Sequence, residues 1–192
     1  VLEVRNLACA GFVKGVSFTL HRGEILGIAG LVGSGRTELV EAIFGVRKLQ
    51  DGQVFLNGKK VHIRTTADGK EHSIGLVTED RKETGLALSY NVADNTVITN
   101  LMKVSQHGFV NSKLTQKYTT QFVKDLAIKA SSINQTTRNL SGGNQQKVVL
   151  AKWLFSDIDI LILDEPTRGI DVGSKYEIYL LMNRLVAQGR SI

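Results

Sequence analysis

Gly30-Leu31-Val32-Gly33-Ser34-Gly35-Arg36-Thr37 is the stretch on which the reading of this chain turns. Before it stands Glu24-Ile25-Leu26-Gly27-Ile28-Ala29, short and mostly apolar, which predicts a buried strand. After it, residues 37–44 carry Leu39, Val40, Ile43 and Phe44 at helical spacing and predict a helix. A strand that enters a helix through glycines aims the unsatisfied amides of the first helical turn, and the positive end of its dipole, at one point in the loop. Glycine lets the backbone wrap closely around an anion there. Gly30, Leu31, Val32, Gly33, Ser34, Gly35, Arg36 and Thr37 are therefore candidate contacts to a phosphate, with the Thr37 hydroxyl placed to coordinate magnesium. The segment fits G-x-x-x-x-G-K-[ST] except that Arg36 stands where lysine is expected. A planar guanidinium cannot reach the terminal phosphates as a compact ammonium does, so the expectation is binding with impaired or absent hydrolysis at this loop.

Downstream, Ile160-Leu161-Ile162-Leu163-Asp164-Glu165 lies between Asp157 and Asp159 on one side and Pro166 on the other, and predicts a strand inside a sheet. At the carboxyl end of a parallel sheet, Asp164 could hold magnesium through its water shell, and Glu165 could orient or deprotonate the attacking water. Taken alone, the two acids could simply close a strand or cap the next helix. The glycine loop upstream, at a domain-sized interval, favours the nucleotide.

Between these stretches lies Leu140-Ser141-Gly142-Gly143-Asn144-Gln145-Gln146-Lys147. Ser141 is a good helix N-cap, Gly142 and Gly143 leave backbone amides bare, and residues 145–155 carry Val148, Val149, Ala151, Trp153 and Leu154 in a largely apolar helix. The tip of that helix is a second phosphate-binding surface. One domain cannot easily bring both surfaces to one nucleotide, because each helix start needs its own approach; two domains packed head to tail can.

These motifs together resemble the nucleotide-binding domain of an ATP-binding cassette (ABC) transporter, over essentially the whole chain. The resemblance makes residues 30–37 the Walker A loop, residues 160–165 Walker B, and residues 140–144 the LSGGQ signature with asparagine in the last place. Asp171, in Arg168-Gly169-Ile170-Asp171, matches the D-loop, which in the family communicates between paired sites. Together with Thr78-Glu79-Asp80-Arg81-Lys82 and the run from Asp164 to Gly173, the motifs resemble the second cassette of the fused double-cassette ATPases of ribose, galactose, xylose and arabinose import. ATP and magnesium are the implied cofactors. The implied partners are a second cassette on the same polypeptide, transmembrane permease subunits and, indirectly, a periplasmic sugar-binding protein. The implied location is peripheral, at the cytoplasmic face of the bacterial inner membrane.

Glu79 occupies the place of the family's Q-loop glutamine and is a candidate contact to the metal and water; the bland reading makes residues 79–82 a solvated charged turn. Phe12 is the nearby candidate for stacking on adenine. The resemblance implies that Ser141, Gly142, Gly143 and Asn144 close over the triphosphate of the partner cassette. Arg36, Thr37, Asp164 and Glu165 then form a second, weaker site, with Glu165 as the catalytic acid and Thr37 and Asp164 at the metal.

Composition is compatible with one domain: 192 residues, 42% apolar and 22% charged. The net charge of +6, from 24 basic and 18 acidic residues, is scattered, without the clustering or aromatic interleaving of a nucleic-acid surface. Nucleic acid is not an expected partner. A polyanionic nucleotide or an anionic membrane surface accounts for the sign. The single Cys9 excludes an internal disulfide and reads as a small buried residue; His21, His62, His72 and His107 show no metal-ligand spacing. No run of about eighteen apolar residues is present, so a transport pathway belongs to another subunit. The sequence starts at Val1 and stops at Ser191-Ile192 as a strand begins, and so reads as a fragment, with the family's switch histidine expected beyond it.

The expected fold is α/β: a P-loop NTPase core sheet of ABC type with an antiparallel β arm and an inserted α-helical subdomain. Residues 1–85 and 156–192 form the nucleotide-binding core and arm; residues 86–155 form the helical subdomain and signature helix. Residues 1–30 and 53–63 supply short strands, with Asn57-Gly58 as a hairpin turn. Residues 91–129 read as helical, burying Leu114, Tyr118, Phe122, Val123, Leu126 and Ala127. Residues 74–77 and 191–192 join the sheet, and residues 175–186 form a covering helix. The expected function is ATP-driven sugar import. The alternatives are a regulatory half whose own site does not turn over, or a soluble ABC protein acting on DNA or the ribosome; the chain has no room for the coiled-coil insertion of the DNA-repair members.

Overall fold

A computed structural model describes residues 1–9, 11 and 13–192; Phe12 lies outside the described residues. In chain order the first elements are β1 Leu2–Cys9, β2 Val13–Leu20, α1 Arg36–Phe44, β3 Asp51–Leu56, β4 Lys59–Val61, α2 Thr66–Glu71 and β5 Ile74–Val77. A π-helical turn Arg81–Gly85 follows, then α3 Val92–Val97, a 3-10 segment Ile98–Val104, β6 Ser105–Gln106, β7 Phe109–Val110 and α4 Ser112–Asp125. The chain closes with a 3-10 turn Thr137–Asn139, α5 Gly142–Phe155, β8 Ile160–Leu163 and α6 Val172–Ala187. Two compact units result. The first is Val1–Leu76 with Ile158–Asp164 and Met182–Ile192, and the second is Val77–Asp157 with Glu165–Leu181.

In the first unit, apolar–polar alternation builds an antiparallel sheet in the order β2-β1-β3-β4. Leu2, Val4, Leu7, Val54 and Leu56 fall on its buried face. Leu56 pairs with Lys59 across Asn57 (φ 49°) and Gly58 (φ 77°), two consecutive positive-φ residues of the kind a two-residue hairpin turn needs. This is the arm the sequence predicts. α2 has no counterpart in the sequence reading; its signal is a capping box in which the Thr65 hydroxyl accepts from Asp68 N while the Asp68 carboxylate accepts from Thr65 N.

β5 is buried throughout and pairs with β8. Beyond β8, Ile160 forms a parallel bridge with Ser191, and Leu161 N donates to Ser191 O at 2.9 Å. Leu26 N donates to Ile192 O at 2.8 Å and Ile192 N to Glu24 O at 2.9 Å, so residues 24–26 lie beside the 191–192 strand stub. The predicted strand at 24–29 is corrected in two respects: it is not a regular strand, and it is not buried. The two hydrogen bonds end at Leu26, and Ile25 and Ile28 are each 41% exposed.

The second unit is helical but broken where the sequence reading runs straight through. α3 passes at once into the 3-10 segment, where Asn100 leaves helical geometry (φ −147°, ψ 62°), and the β6–β7 hairpin intervenes before α4. Residues 91–129 are therefore several short elements, because Asn91 and Asn111 each cap a new helix with a side-chain oxygen. The predicted buried face of α4 is largely correct: Leu114, Tyr118 and Phe122 pack on Val97, Val104 and Phe155. Tyr118 and Phe122 meet the Phe155 ring edge-on at 5.4 and 6.4 Å between centroids. Ala127 is the exception, exposed and at φ 47° just past the helix end.

α5 is buried on nearly every side, including Gln145, Gln146, Lys147 and Lys152. Lys147 Nζ donates to Ala127 O at 2.8 Å and pairs with Glu177 Oε2 at 2.7 Å, a contact that holds the Glu177 carboxyl below its usual range. Lys152 Nζ donates to Gly85 O at 2.5 Å, and burial lowers its pKa from the ordinary 10.5 to about 8. Among the described residues no helix is long and apolar enough to cross a membrane.

Lys152 gives a pH prediction. Between about pH 8 and 10.5 the unfolded chain holds this proton more tightly than the folded chain, so stability from this group rises with pH across that window and is flat below it. The urea midpoint of the wild type minus that of Lys152→Met is therefore expected to be more favourable at pH 10 than at pH 7. An identical difference at both pH values would show that Lys152 is not held in a depressed state.

Candidate functional site

The glycine loop occupies the first unit. No side chain caps α1; Gly35 at its N-cap takes φ 86°, and Gly33 takes φ 80°, left-handed conformations that glycine adopts without strain. Gly35 itself has no side chain to cap the first turn of α1. Leu31 and Val32 are 85% and 99% exposed, so any contact they make to a bound anion comes from their backbone. A methyl group on Gly30 would run into Ser34, which folds back beneath the loop.

Thr37, in the first turn of α1, donates its hydroxyl to Asp164 Oδ2 at 2.7 Å. The pair joins residues 127 apart in sequence. Asp164 is 8% exposed at the end of β8, as the apolar run before it predicts. Because the Thr37 proton is directed at the carboxylate, the lone pairs of the hydroxyl oxygen are free to face a cation. Two adjacent oxygen donors suit a hard divalent ion that keeps water and phosphate in its remaining positions. The donor set fits magnesium.

Glu165 follows directly and is exposed, with φ 48°. A left-handed glutamate costs about 1–3 kcal/mol and persists only when its surroundings hold it. The turn is closed by Arg168 N donating to Glu165 O at 3.0 Å.

The second unit brings together the signature tip, Glu79 and Asp171's loop. Ser141 caps α5 by accepting from Asn144 N at 3.5 Å, and Asn144 Nδ2 donates to Ser141 Oγ at 2.9 Å while Asn144 Oδ1 accepts from Lys129 N at 2.7 Å. Ser141 is exposed. Asp171 accepts from Ser174 N at 2.9 Å and Ser174 Oγ at 2.7 Å; these bonds hold its carboxyl below the usual range.

The glycines of the tip do more than bare their amides. Gly143 is buried, and a methyl group there would come within 2.5 Å of Ser174 Cβ; on Gly142 it would come within 2.7 Å of Arg81 Nη2 and 3.0 Å of Gly169 O. Packing alone therefore disfavours any side chain at Gly143, while at Gly142 a methyl group would displace the end of the Arg81 side chain.

Of residues 79–82, Asp80 and Lys82 are exposed as the bland reading has them, whereas Arg81 turns inward. Glu79 forms an ion pair with Arg168, Asp80 Oδ1 accepts from Lys82 N at 2.9 Å and Glu83 N at 3.2 Å, and Arg81 is buried. Arg81 and Ser174 are the residues that sequence reasoning missed. A charged run hides the one member that turns inward, and nothing near Ser174 marks it as the neighbour of Gly143.

A family model described as "ABC transporter" matches residues 13–168. The chain belongs to the ABC transporter family. It is 50% identical over 184 residues to the ribose import ATP-binding protein of Lacticaseibacillus paracasei, covering 96% of this chain and 37% of that protein. It is 52% identical over 178 residues to the xylose import ATP-binding protein of Thermoanaerobacter pseudethanolicus, covering 92% and 35%. The chain thus spans little more than a third of the length of these curated relatives. In fold it is similar to a dimeric ATP-binding cassette in a post-hydrolysis state bound to ADP and phosphate, with TM-score 0.81 at 22% identity over 99% of this chain and 85% of that one. A nucleotide-free ABC cassette gives TM-score 0.79 at 19% identity, over 99% and 78%. The α/β core, antiparallel arm and helical subdomain are those of the family's ATPase domain.

In this ABC domain the Gly143–Ser174 contact can be tested directly. Gly143→Ala is expected to cost about 1–3 kcal/mol of unfolding free energy by overpacking. Adding Ser174→Gly should return part of that loss in the same denaturation experiment, and a purely additive double variant would refute the steric account.

Proposed function

We propose that this domain binds ATP with magnesium and serves as the second cassette of a fused double-cassette ATPase that drives sugar import through separate permease subunits. The observation that carries the reading is the Thr37–Asp164 hydrogen bond, which joins the glycine loop to the acidic end of β8. Identity of 50–52% to ribose and xylose import ATP-binding proteins supports the sugar class, and the share of those relatives that this chain covers supports a further cassette on the same polypeptide. A periplasmic sugar-binding protein is an indirect partner, and the domain sits peripherally at the cytoplasmic face of the inner membrane.

Amides of residues 30–37 bind the phosphates of this domain's own nucleotide. Thr37 and Asp164 would hold magnesium, which neutralises phosphate charge. Glu165 orients a water and takes its proton. Glu79 and Asp171 enter the proposal through the resemblance of their motifs to the family's Q-loop and D-loop. Ser141, Gly142, Gly143 and Asn144 offer the tip of α5 to the nucleotide of the partner cassette, so that closure and reopening of the pair reorient the permease. Arg36 favours slow turnover at this domain's own loop, because its fork replaces the point charge of lysine.

The test is ATP turnover by the full-length polypeptide with its permease in proteoliposomes, alongside uptake of labelled pentoses and hexoses. Ser141→Ala is expected to lower both turnover and uptake, and Arg36→Lys to raise turnover at this loop. Glu165→Gln is expected to remove whatever turnover this loop contributes, a loss of about 100-fold or more in a variant whose other site is disabled. Unchanged turnover in Ser141→Ala would defeat the shared-nucleotide reading.

A further inference from the structure

Arg81, in the second unit, is a buried cation that the proposed chemistry does not use. The residue is 9% exposed, and its guanidinium donates in three directions: Nη1 to Arg168 O at 2.9 Å, Nη2 to Gly169 O at 3.3 Å, and Nε to Gln145 Oε1 at 3.4 Å. The acceptors lie on two different segments. Arg168 and Gly169 belong to the turn that runs from Glu165 to Asp171, and Gln145 belongs to the first turns of α5, behind Ser141, Gly142 and Gly143. Gln145 is fixed in turn by donating from Nε2 to Thr137 O at 3.2 Å.

The neighbours of Arg81 strengthen the grip. Glu79, two residues earlier, pairs with the guanidinium of the same Arg168 whose carbonyl Arg81 holds. Asp80 caps the π-helical turn that aims Arg81 inward. The Glu165–Asp171 turn is thereby held by its side chain and by its backbone at one residue. Gly142 is the other wall, since even a methyl group there would collide with Arg81 Nη2.

We propose that Arg81 is a positioning residue that locks the Glu165–Asp171 turn to the tip of the signature helix, so that the acid of one nucleotide site and the anion-binding tip of the other move as one body. The idea rests on the shared-nucleotide reading above and adds to it a named coupling element. Physically, the lock needs a fork. Two carbonyls and an amide oxygen on separate segments are met by the fixed divergence of a guanidinium, and an ammonium on a flexible stem cannot meet all three in one geometry. Part-buried carbonyls left without their donor also lose the contact that holds them in place. Loss of register of this kind slows turnover without weakening nucleotide capture, since the phosphates are gripped by residues 30–37 of the other unit.

The experiment uses the full-length polypeptide with its permease and measures ATP turnover, the KM for ATP, and thermal unfolding for Arg81→Lys, Arg81→Met, Ser141→Ala and the double variant Arg81→Lys/Ser141→Ala. Arg81→Lys, which keeps charge and bulk, is expected to lower kcat about tenfold or more while KM changes less than about threefold. In the double variant the loss should be no greater than in Ser141→Ala alone, because the lock has nothing to transmit once the tip is disabled. Full kcat in Arg81→Lys overturns the proposal, even if Arg81→Met unfolds, because it shows that the fork is not needed. Multiplying losses in the double variant also overturn it, leaving Arg81 a packing residue and the shared-nucleotide reading intact. Normal turnover in Ser141→Ala overturns both.

Discussion

A single hydrogen bond between residues 127 apart, from the Thr37 hydroxyl to the Asp164 carboxylate, sets the geometry of the first unit. It ties the start of α1 to the end of β8, two places where secondary structure leaves charge unbalanced: bare amides at a helix N-terminus and an ionisable group at the end of an apolar strand. Both are costly in isolation. The Thr37–Asp164 bond sets an oxygen-rich strand end beside a helix start, the juxtaposition on which the proposed magnesium–nucleotide site is built. The strand's burial and the glycine dihedrals of the loop are what keep the two ends in register.

The second unit solves a different problem, the presentation of a helix tip. α5 is buried along most of its length and emerges only at Ser141, so the tip is rigid where it is exposed. Its glycines are fixed by Ser174 on one side and by Arg81 with Gly169 on the other. The absence of a Cβ lets the tip pack tightly against its neighbours. Asn144, in the place where the signature has glutamine, spends its amide within the domain, on Ser141 and on the Lys129 backbone.

Much of this was legible in the sequence, for local reasons. Asn57-Gly58 demands a tight hairpin and Ser141 a cap, and both are observed; the four apolar residues before Asp164 form the expected strand, with Ile160 and Leu161 buried and Ile162 and Leu163 half-buried. What escaped depends on distant partners or on competing local signals. Residues 24–29 look like a strand, yet their hydrogen bonding to Ile192 ends at Leu26. Residues 91–129 have helical spacing, but Asn91 and Asn111 restart the helix and Asn100 breaks it. Thr65 and Asp68 did announce α2, through a capping box too short to stand out. Arg81 was illegible in principle: its burial is decided by two carbonyls nearly ninety residues away, separated by |i−j| of 87 and 88, and backbone carbonyls carry no sequence signature.

The central claim is that Thr37 and Asp164 share a divalent cation at a nucleoside triphosphate. Anomalous diffraction from crystals of the full-length polypeptide grown with manganese and a non-hydrolysable ATP analogue tests it most directly. The account predicts a manganese peak with Thr37 Oγ1 in its coordination shell, at about 2.1–2.2 Å, and Asp164 within hydrogen-bond reach of a metal-bound water. A metal held with Thr37 outside its shell, or an analogue bound away from residues 30–37, would contradict the account.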